Sequence, residues 1–126
     1  MRLGDAFTLR VGGVNDHLHI VISDPTKNPV SVLLVSVTTF NDSKEDACLF
    51  NANEHPWILH RSCVAYDFAK VVTNEQLEQH RVAGQLKMEQ PFDDLLLRRV
   101  WKGAGESARL KMAFADLLIE QGFLDI

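Results

Sequence analysis

The run Val30-Ser31-Val32-Leu33-Leu34-Val35-Ser36-Val37-Thr38-Thr39-Phe40 constrains this chain more than any other stretch. It is rich in β-branched residues, holds no Gly or Pro, and is too apolar for a strand with one face in water. It predicts a central strand with both faces partly covered. A loop from Asp24 to Pro29 separates it from a second strand candidate, His17-Leu18-His19-Ile20-Val21-Ile22-Ser23. Side chains alternate along a strand, so Leu18, Ile20 and Ile22 are expected to face the core. His17 and His19 then share the other side with Val21 and Ser23. That side is expected to be solvated or to line a groove.

Around these two strands the first half reads as β. Ala6 to Arg10 is a first strand, joined to the second by a hairpin through Gly12-Gly13 and Asn15-Asp16. Ala47 to Phe50 is a short strand. Arg61 to Tyr66 is another, and Phe68 to Val72 is either a further strand or its continuation. Several short strands separated by turns predict a small barrel or sandwich. The pattern changes at Thr73, where Thr73-Asn74-Glu75-Gln76 resembles a capping box. A helix from Asn74 to about Ala83 follows, closed by Gly84 as the C′ residue. Gln85 to Glu89 reads as briefly extended. Pro91 opens a second helix, which Gly103 and Gly105 interrupt. Ser107 caps a third helix, whose apolar stripe is Leu110, Ala113, Phe114, Leu117 and Leu118, and Gly122 ends it. The fold class is therefore α+β: a small, curled antiparallel barrel over residues 1–72, with a helical extension over 73–126. At 126 residues it is expected to be one domain.

Seventeen acidic and thirteen basic residues leave a net charge of −4, which argues against an overall electrostatic grip on nucleic acid while leaving room for a local basic groove. No apolar run approaches the roughly 20 residues needed to cross a bilayer. Met1-Arg2-Leu3-Gly4-Asp5 lacks the apolar core of a signal peptide, so a cytoplasmic location without membrane association is expected. Two cysteines, Cys48 and Cys63, are too few for a disulfide scaffold and are expected as buried or free thiols.

The chemistry-bearing residues cluster at strand ends. His17-x-His19 can set two imidazoles on one metal, with His55 or His60 completing the site, but no zinc-type spacing accompanies it, and ordinary polar residues at a strand entrance account for it equally. His60-Arg61-Ser62 has the His-x-Ser form of phosphoesterases that use two such motifs; the second copy is missing. His55, His60, Arg61, Ser62 and Tyr66 form the densest polar and aromatic patch. Histidine moves protons near neutral pH, and arginine stabilises a phosphorane-like transition state. Those two roles suffice to cleave RNA beside its own 2′-hydroxyl. The plainer alternative is that His60 and Arg61 solvate a strand end while Tyr66 packs. Trp57 and Tyr66 are candidates for stacking on bases, and for packing. Ser23, Thr38 and Thr39 close strands, where hydroxyls contact phosphate or cap turns.

The order of these pieces resembles that of the PemK/MazF-like toxins over residues 3 to 77. Gly4-Asp5 is similar to the family's opening strand, and Ile20-Val21-Ile22-Ser23 to its apolar strand ending in Ser. Val35-Ser36-Val37-Thr38-Thr39 is similar to its valine-rich strand ending in Thr-Thr or Thr-Ser. Ser62-Cys63-Val64 and Glu75-Gln76-Leu77 are similar to its Ser-x-Val strand and the short helix after it. The resemblance implies a curled antiparallel sheet, a homodimer, an antitoxin-like protein partner, and cleavage of single-stranded RNA without metal or other cofactor. Two departures stand against it. The family's Arg-Pro pair ahead of the second strand is replaced by Asp16-His17-Leu18-His19, and the helical tail after Thr73 is longer.

Three functions are thus open. The first is a toxin-like endoribonuclease using His17, His19, Thr39, His60 and Arg61, with Ser23, Thr38, His55, Trp57, Ser62 and Tyr66 binding RNA. The second is a non-catalytic barrel binding a protein or nucleic acid. The third is a metal-dependent hydrolase built on His17 and His19.

Overall fold

The computed structural model describes residues 1–10 and 17–125, so the expected turn at Gly12-Gly13 and Asn15-Asp16 lies outside the described residues. The elements run β1 (Ala6–Leu9), β2 (Leu18–Val21), β3 (Ser31–Thr39), β4 (Leu49–Phe50), β5 (Ser62–Thr73), α1 (Asn74–Val82), β6 (Leu86–Glu89), α2 (Asp94–Glu106) and α3 (Met112–Glu120). The strands form one antiparallel sheet in the order β4-β5-β3-β2-β1-β6. The valine-rich run is an interior strand, as its composition requires: it pairs with β2 on one side and β5 on the other.

The sheet has two different faces. On the first, Leu18, Ile20, Ile22, Leu33, Val35, Val37, Val64 and Tyr66 pack with Leu97, Val100 and Ala104 of α2 and Leu118 of α3. On the second, Phe7, Val21, Val32 and Leu34 pack with Leu77 of α1. The split of Leu18, Ile20 and Ile22 from Val21 is the one their alternation predicts. Burying whole aliphatic side chains contributes about 1.5–3 kcal/mol each, so both packed faces stabilise the sheet.

The sheet is α+β but is not closed into the expected barrel. Among the described residues its outer strands, β4 and β6, pair on one side only. The reason is spatial: α2 and α3 fill the first face, where a closing barrel would place its own opposite wall. Nor is the C-terminal half only helical cover. Leu86–Glu89 pairs antiparallel with β1 across the full length of that strand.

Local signals set the element ends. Thr73 and Gln76 form the expected capping box on α1, and Gly84 follows the helix at φ 73°, a conformation that favours glycine. α2 is capped by Asp93, whose side chain accepts from the Leu96 N–H at 2.9 Å, and begins at Asp94, three residues later than Pro91 suggests. Ser107 does not cap the third helix. Its Oγ accepts from the N–H groups of Arg109 and Leu110 in a turn, and α3 begins at Met112.

Gly103 and Gly105 do not interrupt α2, which runs through both. Gly103 is present because the helix lies hard against β5: a Cβ there would meet the Tyr66 hydroxyl, Cys48 Cβ at 2.7 Å and the Ala47 carbonyl oxygen at 2.9 Å. Tyr66 completes this contact by donating its O–H to the Val100 carbonyl at 2.6 Å. Gly103→Ala is expected to lower stability by about 1–3 kcal/mol through overpacking, despite alanine's better helix propensity. The urea midpoint should fall with little change in slope. Gly105→Ala, which meets only Leu124 Cδ2 at 3.1 Å, should be close to neutral in the same measurement.

Candidate functional site

Where β2 begins and β3 ends, the loop between β4 and β5 folds over the end of the sheet. His55 pins this loop. Its Nε2 donates to the Gln90 carbonyl at 2.6 Å, its Nδ1 accepts from the Trp57 N–H at 3.1 Å, and its ring stacks on Phe92 with centroids 4.5 Å apart. Asn53 turns the chain at φ 70°, and its N–H donates to the Ile58 carbonyl at 2.7 Å. Asparagine adopts this left-handed region more readily than most residues.

The result is a groove of about 470 Å³ lined by His17, Thr38, Thr39, Trp57, His60 and Ser62, with Ile58, Leu59, Pro56 and Val37 as apolar walls. Thr39 Oγ1 and His60 Nε2 share a hydrogen bond of 2.7 Å. Ser62 Oγ donates to the His60 carbonyl at 2.9 Å, which fixes the backbone that carries the imidazole. Both Thr39 and His60 are exposed, so their pairing is open to a ligand.

A second cavity, of about 500 Å³, adjoins the first. His17 and Thr38 line both. Register explains the sharing. Phe7, His19, Ser36 and Ala65 are successive cross-strand partners on the second face of the sheet. Alternation puts His17 and Thr38 on this face too, at the sheet's end, while Thr39 turns to the other side. Neither lining contains Asp or Glu among the described residues, in a chain of net charge −4.

The expected site residues therefore separate into groups. His17, Thr38, Thr39, Trp57, His60 and Ser62 come together in the groove. His19 lies in the second cavity, half-buried and stacked on Phe7 at 5.5 Å. Burial first, then the charge of Lys70 and then His17, pushes its pKa down to about 4. It is neutral at pH 7 and a weak proton acceptor there.

Arg61 lies outside the groove's lining, over the Phe40 ring at 5.5 Å. Three expected binding residues are enclosed in the body of the protein. Ser23 Oγ accepts from the Leu33 N–H at 2.7 Å, Tyr66 is committed to Val100, and His55 holds the loop. Each is 2% exposed or less, so none presents a surface to RNA. Of the three, only His55 bears on the groove, through the loop it pins; Ser23 bonds at the far end of β2 and β3, and Tyr66 against α2.

Lys44, Lys70 and Phe68 of the second cavity are not legible as site residues in the sequence. They reach it through a loop and an irregular strand rather than a motif. Both cysteines are free and buried, and burial pushes the Cys48 thiol up to about 11. No group of three or more His, Cys, Asp or Glu side chains among the described residues is placed to hold a metal ion. No described helix is long and apolar enough to cross a membrane. No protein-family model matches the sequence, and no curated protein matches it.

The lowered pKa of His19 makes stability depend on pH. Between pH 6.5 and 4 the unfolded chain takes up a proton at His19 that the folded protein refuses. Its contribution is fully present above about pH 6.5 and is lost as pH falls towards 4, at up to about 1.4 kcal/mol per pH unit. Urea unfolding of wild type and His19→Gln across this range should show the steeper loss in wild type.

Proposed function

We propose that this protein is a toxin-like, metal-independent endoribonuclease acting on single-stranded RNA. The observation that carries the reading is the Thr39–His60 hydrogen bond of 2.7 Å, set in a groove that holds a second imidazole, His17, and no carboxylate among the described residues. The absence of lining carboxylates favours an anionic substrate, because no negative side chain there repels phosphate. Trp57 supplies a ring on which a base can stack.

In the proposed reaction Thr39 orients the His60 imidazole. His60 removes the proton from a ribose 2′-hydroxyl, whose oxygen attacks the adjacent phosphorus. The bond from phosphorus to the 5′-oxygen breaks, and His17 delivers a proton to that leaving oxygen. The products are a 2′,3′-cyclic phosphate and a 5′-hydroxyl. On the resemblance, Asp16-His17-Leu18-His19 stands where the PemK/MazF-like toxins carry their arginine, and the proposal gives that arginine's part to His17. The same proposal includes the finer fold reading, a PemK/MazF-like small barrel whose sheet stays open at β4 and β6. It also includes a cytoplasmic location, a homodimer and an antitoxin-like partner.

The test is incubation of purified protein with a mixed-sequence RNA, with and without EDTA. Cleavage is expected to survive EDTA and to fail on RNA lacking the 2′-hydroxyl. His60→Ala should reduce the rate by about 10²- to 10⁴-fold, the span of a lost general base, with Thr39→Ala weaker in the same direction. The proposal falls if EDTA abolishes cleavage, or if wild type and His60→Ala are equally inactive on RNA that both bind. The last result would leave a binding module.

A further inference from the structure

Apart from His17, no residue lining the second cavity takes part in the cleavage just described, yet the cavity has the makings of a ligand site. Its lining includes two lysines, Lys44 and Lys70, and an aromatic ring, Phe68. Neither lysine takes part in an ion pair among the described residues. Phe68 is 68% exposed, although a phenylalanine gains about 1.5–3 kcal/mol from full burial.

The backbone explains how it comes to be there. Between the pairs Leu34↔Lys70 and Ser36↔Ala65 the register of β5 on β3 shifts. Tyr66 follows Val64 onto the first face by alternation; the irregularity then returns Ala69, rather than Phe68, to that core and leaves Phe68 outside. Bulges of this kind re-aim side chains and are common beside functional sites.

We propose that this cavity is a nucleotide subsite, in which Lys44 and Lys70 hold a phosphate and Phe68 stacks on the base. The volume of about 500 Å³ is in the range of small-molecule sites. His19 is neutral at pH 7 and adds no positive charge to that of the two lysines. Ser36 and Thr38 offer hydroxyls to the sugar-phosphate edge. Because His17 and Thr38 line both cavities, a strand lying in the groove continues directly into this one. From Ser36 to Thr38 the chain advances only about 7 Å. The subsite rests on the RNA-cleaving reading for its occupant's source. Its chemistry, a phosphate joined to a flat heterocycle, is equally that of a free mononucleotide.

The experiment follows backbone amide shifts of the full chain by NMR. The probes are inorganic phosphate, 5′-AMP, and a six-residue 2′-O-methyl RNA that cannot be cleaved through its 2′-oxygen. Both the oligonucleotide and 5′-AMP should shift the amides of Phe68, Lys70 and Ser36. Phe68→Ala should weaken oligonucleotide binding by about 5- to 100-fold, the span of one lost base stack, and Phe68→Trp should restore it. Lys70→Ala should lower the slope of log Kd against log salt by about 0.7, one phosphate contact on a single strand. Both side chains are exposed, so the variants are expected to fold.

Binding of 5′-AMP here without binding of the oligonucleotide supports the subsite and assigns it to a free nucleotide; joined to an absence of cleavage in the RNA assay, it removes the RNA-cleaving reading. Cleavage and oligonucleotide affinity unchanged in Phe68→Ala and Lys70→Ala overturn the subsite and leave that reading standing. Phosphate alone binding as well as 5′-AMP overturns the stacking role of Phe68.

Discussion

The pairing of β3 with β5, and the irregularity within it, is the constraint on which the rest of this structure depends. These are the two longest strands, and each half of β5 does a different job. Ser62 to Ala65 pairs with the end of β3 and frames the groove. Lys70 to Thr73 pairs with its beginning and delivers the chain into the capping box of α1. A strand with unbroken alternation could not supply both. Tyr66 reaches Val100 of α2 by alternation from Val64, and the shift that follows it leaves Phe68 at the surface while Ala69 returns to the core. Helix packing on one face and cavity formation on the other are therefore coupled through a single backbone irregularity.

The groove has a comparable dependence on groups that never touch a ligand. His55, with both ring nitrogens engaged by backbone, ties the loop carrying Trp57 and His60 to the segment leading into α2. Truncating a buried polar group of this kind leaves its partner unsatisfied at a cost of about 1–3 kcal/mol, so His55 acts as a rigid fixture. The exposed pair Thr39–His60 can then hold its geometry at the rim, where short hydrogen bonds between mobile side chains would otherwise be worth little.

Much of the fold was legible in the chain because it rests on local periodicity. The valine-rich run had to be interior, and Leu18, Ile20 and Ile22 had to face away from His17 and His19, since both follow from alternation alone. The capping box at Thr73 and the C′ glycine at 84 are likewise local. The errors arose where contacts distant in sequence overrode local signals. Gly103 and Gly105 read as helix breakers, but close packing of α2 on Tyr66 and Cys48 turns the first into a requirement. The barrel did not close because helices from the C-terminal half occupy one face.

The site divides in the same way. That histidines and hydroxyls gather at strand ends is written in the order of residues, because strand direction and period 2 carry a side chain's face with them. Which of them meet is not. Thr39 and His60 lie 21 positions apart and are joined only by how the β4–β5 loop folds over the sheet. His55 and Tyr66, as conspicuous in the sequence, were drawn inward by Gln90, Phe92 and Val100. Lys44, Lys70 and Phe68 converge through a register shift that no composition announces. Periodicity sets the face a side chain occupies; only the packing of remote segments decides whether that face is core, rim or cavity.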